Sequence, residues 1–173
     1  MPEGPDIRRI RLIALTVGTV AVLDQLTKLI VAHYLFPGET VEVIPGLFNL
    51  VYWKNPGAAF GIFKDGGLLR TLFLIGVSVA ALVLIGILLR QSTDTFTDLS
   101  LSLIAGGAVG NTIDRVLLGE VVDFLDFHAG GWHWPAFNVA DSAITVGVTL
   151  ALISFYFKGA GKADGPDNTD TGG

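Results

Sequence analysis

Four stretches of this chain, at about residues 12–35, 68–89, 96–118 and 137–157, are almost uninterrupted runs of apolar residues. About 20 such residues in a helix cover the roughly 30 Å of a bilayer's hydrocarbon core. A helix also satisfies every backbone N–H and C=O within one segment, as lipid demands. Only 16% of the residues are charged, against the roughly 25% of ordinary soluble domains. The chain therefore reads as an all-α integral membrane protein, a single domain over residues 1–173. It has no cysteine, which removes disulfides, thiolate metal sites and cysteine nucleophiles. No basic stripe marks a nucleic-acid partner.

Arg8, Arg9 and Arg11 precede the first run and place the N-terminus in the cytoplasm by the positive-inside rule. The first run is too long for the apolar stretch of a secretory signal, so it is expected to be retained as a span. Four spans return the C-terminus to the cytoplasm, beside Lys158 and Lys162, and leave residues 36–67 and 119–135 outside. The alternation in "TVEVI" and "LFNLVYW" predicts short strands in the first outer segment. Phe48, Tyr52, Trp53, Phe60 and Phe63 there, with Trp132 and Trp134 in the second outer segment, suit the headgroup level. The Gly- and Asp-rich tail, residues 159–173, reads as disordered.

Polar residues inside the spans segregate. Asn138, Asp141, Ser142, Thr145 and Thr149 share one face of the fourth span, and Gly107, Asn111, Asp114 and Arg115 one face of the third. Gly106 and Gly110 form a small-xxx-small pair suited to close helix contact. Asp24 and Lys28, at i and i+4, suit a structural ion pair. Asp24 lies about 18 Å into the first span, and Asp141 about 6 Å below the outer boundary of the fourth. All three clusters thus converge on the outer leaflet. Ionisable groups there are costly and demand a reason.

His128 and His133 lie in no metal-binding pattern, and no metal or cofactor is expected. Asp123, Asp126 and Asp141 lie near the outer surface. Two carboxylates forced together in low dielectric share a proton, and such a pair can activate water and protonate a leaving group. The same acids would also serve a proton-coupled transporter, which needs a polar path to the cytoplasmic side.

The segments "DQLTK" (24–28), "NPGAAFG" (55–61), "GGAVGNTIDR" (106–115), "GEVVDF" (119–124) and "FNVADSAITVG" (137–147), taken in this order, closely resemble the bacterial lipoprotein signal peptidases (signal peptidase II). The resemblance implies an intramembrane aspartic endopeptidase in the bacterial cytoplasmic (inner) membrane. Its substrates are prolipoproteins whose cysteine carries diacylglyceryl, and the cut falls just before that cysteine. It implies a four-transmembrane-helix bundle with a small extracytoplasmic β-cradle and an extracytoplasmic lid segment. Position by position, it places the catalytic pair on Asp123 and Asp141, and substrate-binding or supporting polar groups on Asn55, Asn111, Arg115 and Asn138. Asp24 and Lys28 match a structural polar pair of the first span. Asp126 matches no catalytic position and is expected to be an interfacial acid. Membrane lipids are the other expected partners, and a monomer is the expected state. The transporter stands as the alternative.

Overall fold

The computed structural model of the chain describes residues 6–57 and 67–163. Each apolar run forms a helix: α1 (Ile7–Tyr34), α2 (Gly67–Gln91), α3 (Thr95–Leu118) and α4 (Val139–Ala163). Helix α1 begins earlier than its apolar run because Asp6 caps it, accepting from Arg8 N at 2.9 Å. Asp94 caps α3 in the same way, accepting from Thr97 N at 2.8 Å. Helix α4 runs past its apolar run, so residues 159–163, read as part of a disordered tail, are helical. Phe60, Phe63 and residues 164–173 lie outside the described residues.

Helix α3 is the hub. It packs against each of the other three, and α1 also meets α4. Half of its apolar window is buried, against 6% for α2, so α2 presents its leucines and valines to lipid. The central position rests on small residues. A Cβ on Gly106 would lie 2.7 Å from Val20 Cβ of α1, and one on Gly107 would lie 2.3 Å from the Ala140 carbonyl oxygen of α4. A Cβ on Gly147 of α4 would likewise lie 2.7 Å from the Ser100 carbonyl oxygen of α3. The anticipated Gly106–Gly110 pair does bring α1 against α3, and Gly107 does the same for α4.

The end of the bundle away from the sheet is held by Arg9. Its guanidinium donates to both Asp98 carboxylate oxygens, at 2.6 and 2.9 Å, and to the Leu89 carbonyl. One side chain so joins α1, α2 and α3. Between this clasp and the sheet end, Ile85, Leu101 and Ala105 form an apolar cluster flanked by Val17, Leu82 and Ile104.

The other end carries a four-stranded antiparallel sheet in the order β1 (Thr40–Ile44), β2 (Phe48–Asn55), β3 (Val121–Ala129) and β4 (Trp132–His133). Strands β1 and β2 are those announced by alternation. Strand β3 is an addition, because its segment reads from sequence only as a lid. Val121, Val122, Asp123, Phe124 and Asp126 are all buried. A strand covered on both faces loses the period-2 signal, and its two aspartates lower strand propensity further. Gly130 and Gly131, at φ 56° and 86°, turn the chain into β4. The chain then returns to β3: Phe124 N and Leu125 N donate to the Phe137 carbonyl at 3.0 and 2.9 Å, and Phe137 N donates back to Leu125 at 3.1 Å. This bridge sets the first turn of α4 beside the middle of β3.

Gly107→Val should destabilise the protein by about 1–3 kcal/mol or more through overpacking. Gly86→Ala, with open space around its Cβ, should be neutral or stabilise by up to about 1 kcal/mol through helix propensity. Thermal unfolding of both variants in detergent measures the contrast.

Candidate active site

The site is built outward from one buried ammonium. Lys28 is buried on α1 and donates to Asp24 Oδ2 at 2.7 Å, one helical turn back. It also reaches Asp114 Oδ2 of α3 at 2.9 Å and Asn111 Oδ1 at 3.2 Å. The i, i+4 pair expected from sequence is therefore a triad. A buried charge needs several compensating partners, and the carboxylates distribute that compensation. Asp24 Oδ1 accepts from Ala140 N at 2.9 Å, satisfying one of the amides that a helix start leaves unpaired. Asp114 accepts from Gln25 Nε2 at 2.8 Å and from Val122 N at 3.0 Å. Three elements, α1, α4 and β3, are thereby registered to α3.

The start of α4 is a reciprocal cap. Asp141 N donates to Asn138 Oδ1 at 2.9 Å, and Asn138 N donates to Asp141 Oδ2 at 3.3 Å. This is the capping-box arrangement with Asn at the cap and Asp at the third position. The cap leaves the Asn138 amide nitrogen free to turn into the bundle. There it donates to Asp123 Oδ1 at 2.8 Å and also lies 3.2 Å from both Asn111 Oδ1 and Val122 O. Asn111 is oriented in turn: its oxygen accepts from Lys28 and Asn138, so its nitrogen donates to Asp141 Oδ1 at 2.8 Å. On the far side, Asn55 Oδ1 accepts from Gly57 N at 2.8 Å, so Asn55 Nδ2 donates to Asp123 Oδ2 at 2.8 Å. Gly57 sits at φ 78°, and a Cβ there would lie 2.3 Å from Leu74 Cδ1.

Asp123 and Asp141 together line a groove of about 620 Å³ with Asn55, Ser142, Thr145 and Val146. Trp134, Pro135, Ala136 and Phe137 form its other wall. Burial pushes the Asp123 carboxyl up to about 6; the hydrogen bond from Asn55 opposes that, the Asp141 charge adds to it, and Asn138 opposes it again. Arg115 lies within electrostatic range of Asp141, Asp114 and Asp123, with its guanidinium 3.4 Å from the Asn111 carbonyl. The structure thus gathers Asn55, Asn111, Asp123, Asn138 and Asp141 around one groove, with Asp24 and Lys28 behind it. Sequence reasoning did not assign Gln25 a place and left Asp114 outside the Lys28 cluster. Asp114 stands three residues after Asn111 on the same helical face, which was the available signal.

Asp126 is corrected. Read as an interfacial acid, it is 1% exposed. His133 Nδ1 lies 2.9 Å from Oδ1, and Asn49 Nδ2 donates to Oδ2 at 2.8 Å. Burial pushes its carboxyl up, but the His133 and Asn49 hydrogen bonds outweigh that and hold it below the usual value. It joins β2, β3 and β4. Sequence could not place it, because both partners depend on the strand register.

The triad carries two carboxylates for one ammonium, so its members are unequal. Lys28→Met leaves two buried acids without their cation and should destabilise by about 3–5 kcal/mol. Asp24→Asn keeps an acceptor for Ala140 N and leaves Lys28 paired with Asp114, so it should cost less. Protein abundance and unfolding temperature of the two variants give the ranking.

The family model for Signal peptidase (SPase) II matches residues 16–157. The lipoprotein signal peptidase of Syntrophus aciditrophicus (strain SB) is 43% identical over 150 residues, covering 85% of this chain and 93% of that protein. That of Paraburkholderia phymatum is 49% identical over 134 residues, covering 77% and 80%. A solved bacterial membrane enzyme, determined by the in meso method at 2.3 Å resolution, superposes with a TM-score of 0.78 at 35% identity, covering 89% of this chain and 93% of that one. Four membrane-length helices, the polar site at one end and these matches lead to one assignment: the chain belongs to the signal peptidase II family, peptidases that remove signal peptides from prolipoproteins.

Proposed function

We propose that this chain is an intramembrane aspartic endopeptidase that hydrolyses the amide bond just before the diacylglyceryl-modified cysteine of a prolipoprotein. One observation carries the reading. The Asn138 side chain caps the turn that bears Asp141 and donates its amide to Asp123, so one residue fixes both carboxylates over one groove. Asp123 and Asp141 are the catalytic pair. Asn55, Asn111 and Asn138 position them, and Arg115 supports the pair electrostatically.

In the proposed cycle the pair holds one proton. The ionised aspartate takes a proton from water, which attacks the amide carbonyl. The protonated aspartate donates to the carbonyl oxygen and recovers that proton as the C–N bond breaks, while the other aspartate passes the proton it took from water to the leaving amine. Substrate acyl chains hold the scissile bond at the depth of the groove. Both termini are cytoplasmic, and the sheet and the groove face the periplasmic side of the inner membrane. A transporter using the same acids would need a polar route through the bundle. The apolar cluster of Ile85, Leu101 and Ala105 speaks against one.

Cleavage of diacylglyceryl-prolipoprotein by purified variants tests the reading. Asp123→Asn and Asp141→Asn cannot exchange the required proton, and acid–base terms are worth about 10²–10⁴-fold each. Each variant should nearly abolish turnover while still inserting and binding substrate. Asp126→Asn should keep most turnover, with its effect read in thermal stability. Chelator should leave cleavage unchanged. Substantial turnover by Asp141→Asn would refute the pairing.

A further inference from the structure

A second polar cavity opens where α2 and α3 meet at the sheet end of the bundle. It is about 510 Å³ and is lined by Arg70, Thr71, Arg115, Gly119 and Glu120, among others. It shares no lining residue with the groove of Asp123 and Asp141. Arg70 Nε is shielded from solvent and, among the described residues, has no hydrogen-bond partner. Buried N–H donors are nearly always satisfied. Arg70 also stands in the first turn of α2, where the positive end of the helix dipole disfavours a cation. The nearby groups do not relieve it. Glu120 is paired with Lys54 at 3.0 Å, and the Thr71 hydroxyl donates to the Gly119 carbonyl at 3.0 Å.

Directly beneath lies an apolar slot of about 270 Å³ between the same helices, lined by Leu82, Val109, Thr112, Ile113, Val116 and Leu117. The Thr112 hydroxyl is turned back to its own helix, donating to Ala108 O at 2.6 Å, so the slot presents only hydrocarbon. Val116 and Arg115 are chain neighbours, and Val116 lines both spaces. Leu82 lies about 18 Å along α2 from Arg70 at 1.5 Å per residue, roughly the depth of one leaflet of a 30 Å core.

We propose that this composite site holds one anionic phospholipid, its phosphate against the Arg70 and Arg115 guanidiniums and one acyl chain in the α2–α3 slot. A guanidinium presents paired donors matched to a phosphate's oxygens. A guanidinium with one shielded, unpartnered N–H above an apolar slot fits a charged headgroup joined to a hydrocarbon tail. The cavity lies on the α2 side of the hub and shares no lining residue with the α4 groove, and Arg115, which also supports the carboxylate pair, is the one residue that links the two. The inference goes beyond the peptidase reading and does not depend on it.

Native mass spectrometry of the detergent-purified full chain tests the proposal. The probes are phosphatidylglycerol, diacylglycerol with the same chains, and inorganic phosphate. The wild type should retain one phosphatidylglycerol. Arg70→Gln should weaken retention about tenfold or more, the factor set by losing one charge-assisted hydrogen bond, and Arg70→Lys should recover part of it. Val116→Trp, at a lipid-exposed position, should fill the slot and displace the lipid without disturbing helix packing. Diacylglycerol and inorganic phosphate should not compete. The proposal fails if Arg70→Gln and Val116→Trp both retain phosphatidylglycerol as the wild type does. It fails equally if diacylglycerol binds as well, which would leave an apolar slot only, or if inorganic phosphate alone displaces the lipid, which would leave a free-anion site.

Discussion

A lysine ammonium buried inside a membrane bundle is the constraint around which this fold is organised. Lipid offers no water to Lys28, so its charge must be met by protein groups, and an incomplete set would leave a cost that no small bundle can carry. The set, Asp24 of α1 with Asp114 and Asn111 of α3, is complete only when α1 and α3 converge. Asp24 binds Lys28 with one oxygen and the Ala140 amide with the other. Asp114 binds Lys28 and also the Val122 amide that opens the strand carrying Asp123. Satisfying one cation therefore places both of the proposed catalytic carboxylates.

From Lys28 the order passes through amide side chains whose two ends are not interchangeable. Asn111 must turn its oxygen to Lys28, so its nitrogen meets Asp141. Asn55 must turn its oxygen to Gly57, so its nitrogen meets Asp123. Asn138 must turn its oxygen to the Asp141 amide, so its nitrogen also meets Asp123. Asp123 consequently accepts hydrogen bonds from Asn55 and Asn138, which favour its ionised form, while burial favours the protonated form. For Asp123 burial wins, and the carboxyl lies at about 6. An acid poised near working pH is what proton exchange in both directions asks for.

Much of this was legible in the chain. The four helices follow from run length alone, because lipid leaves a single apolar segment few other solutions. The faces of α3 and α4 were visible in the spacing of Asn111, Asp114, Asn138 and Asp141. Three features were not. Strand β3 is covered on both faces, so its period vanished. The Asn138–Asp141 spacing read as one helical face although it is also a capping box, because a cap and a face share the same three-residue offset. The roles of Asp126 and Arg9 depend on partners distant in sequence: Asn49 is 77 residues from Asp126, and Asp98 is 89 from Arg9. Local pattern carries no trace of either.

The central claim is that burial beside the Asp141 charge keeps a proton on Asp123 near working pH. Isotope-edited infrared titration of the aspartate carboxyl stretch in the detergent-solubilised enzyme tests it directly. In the wild type a protonated carboxyl signal should disappear as pH rises through about 6, and Asp123→Asn should lack it. In Asp141→Asn the loss of the neighbouring charge removes one cause that raises Asp123, so its signal should disappear at lower pH. An Asp123 carboxyl already fully ionised well below that value, or one whose titration is unmoved by Asp141→Asn, would contradict the account.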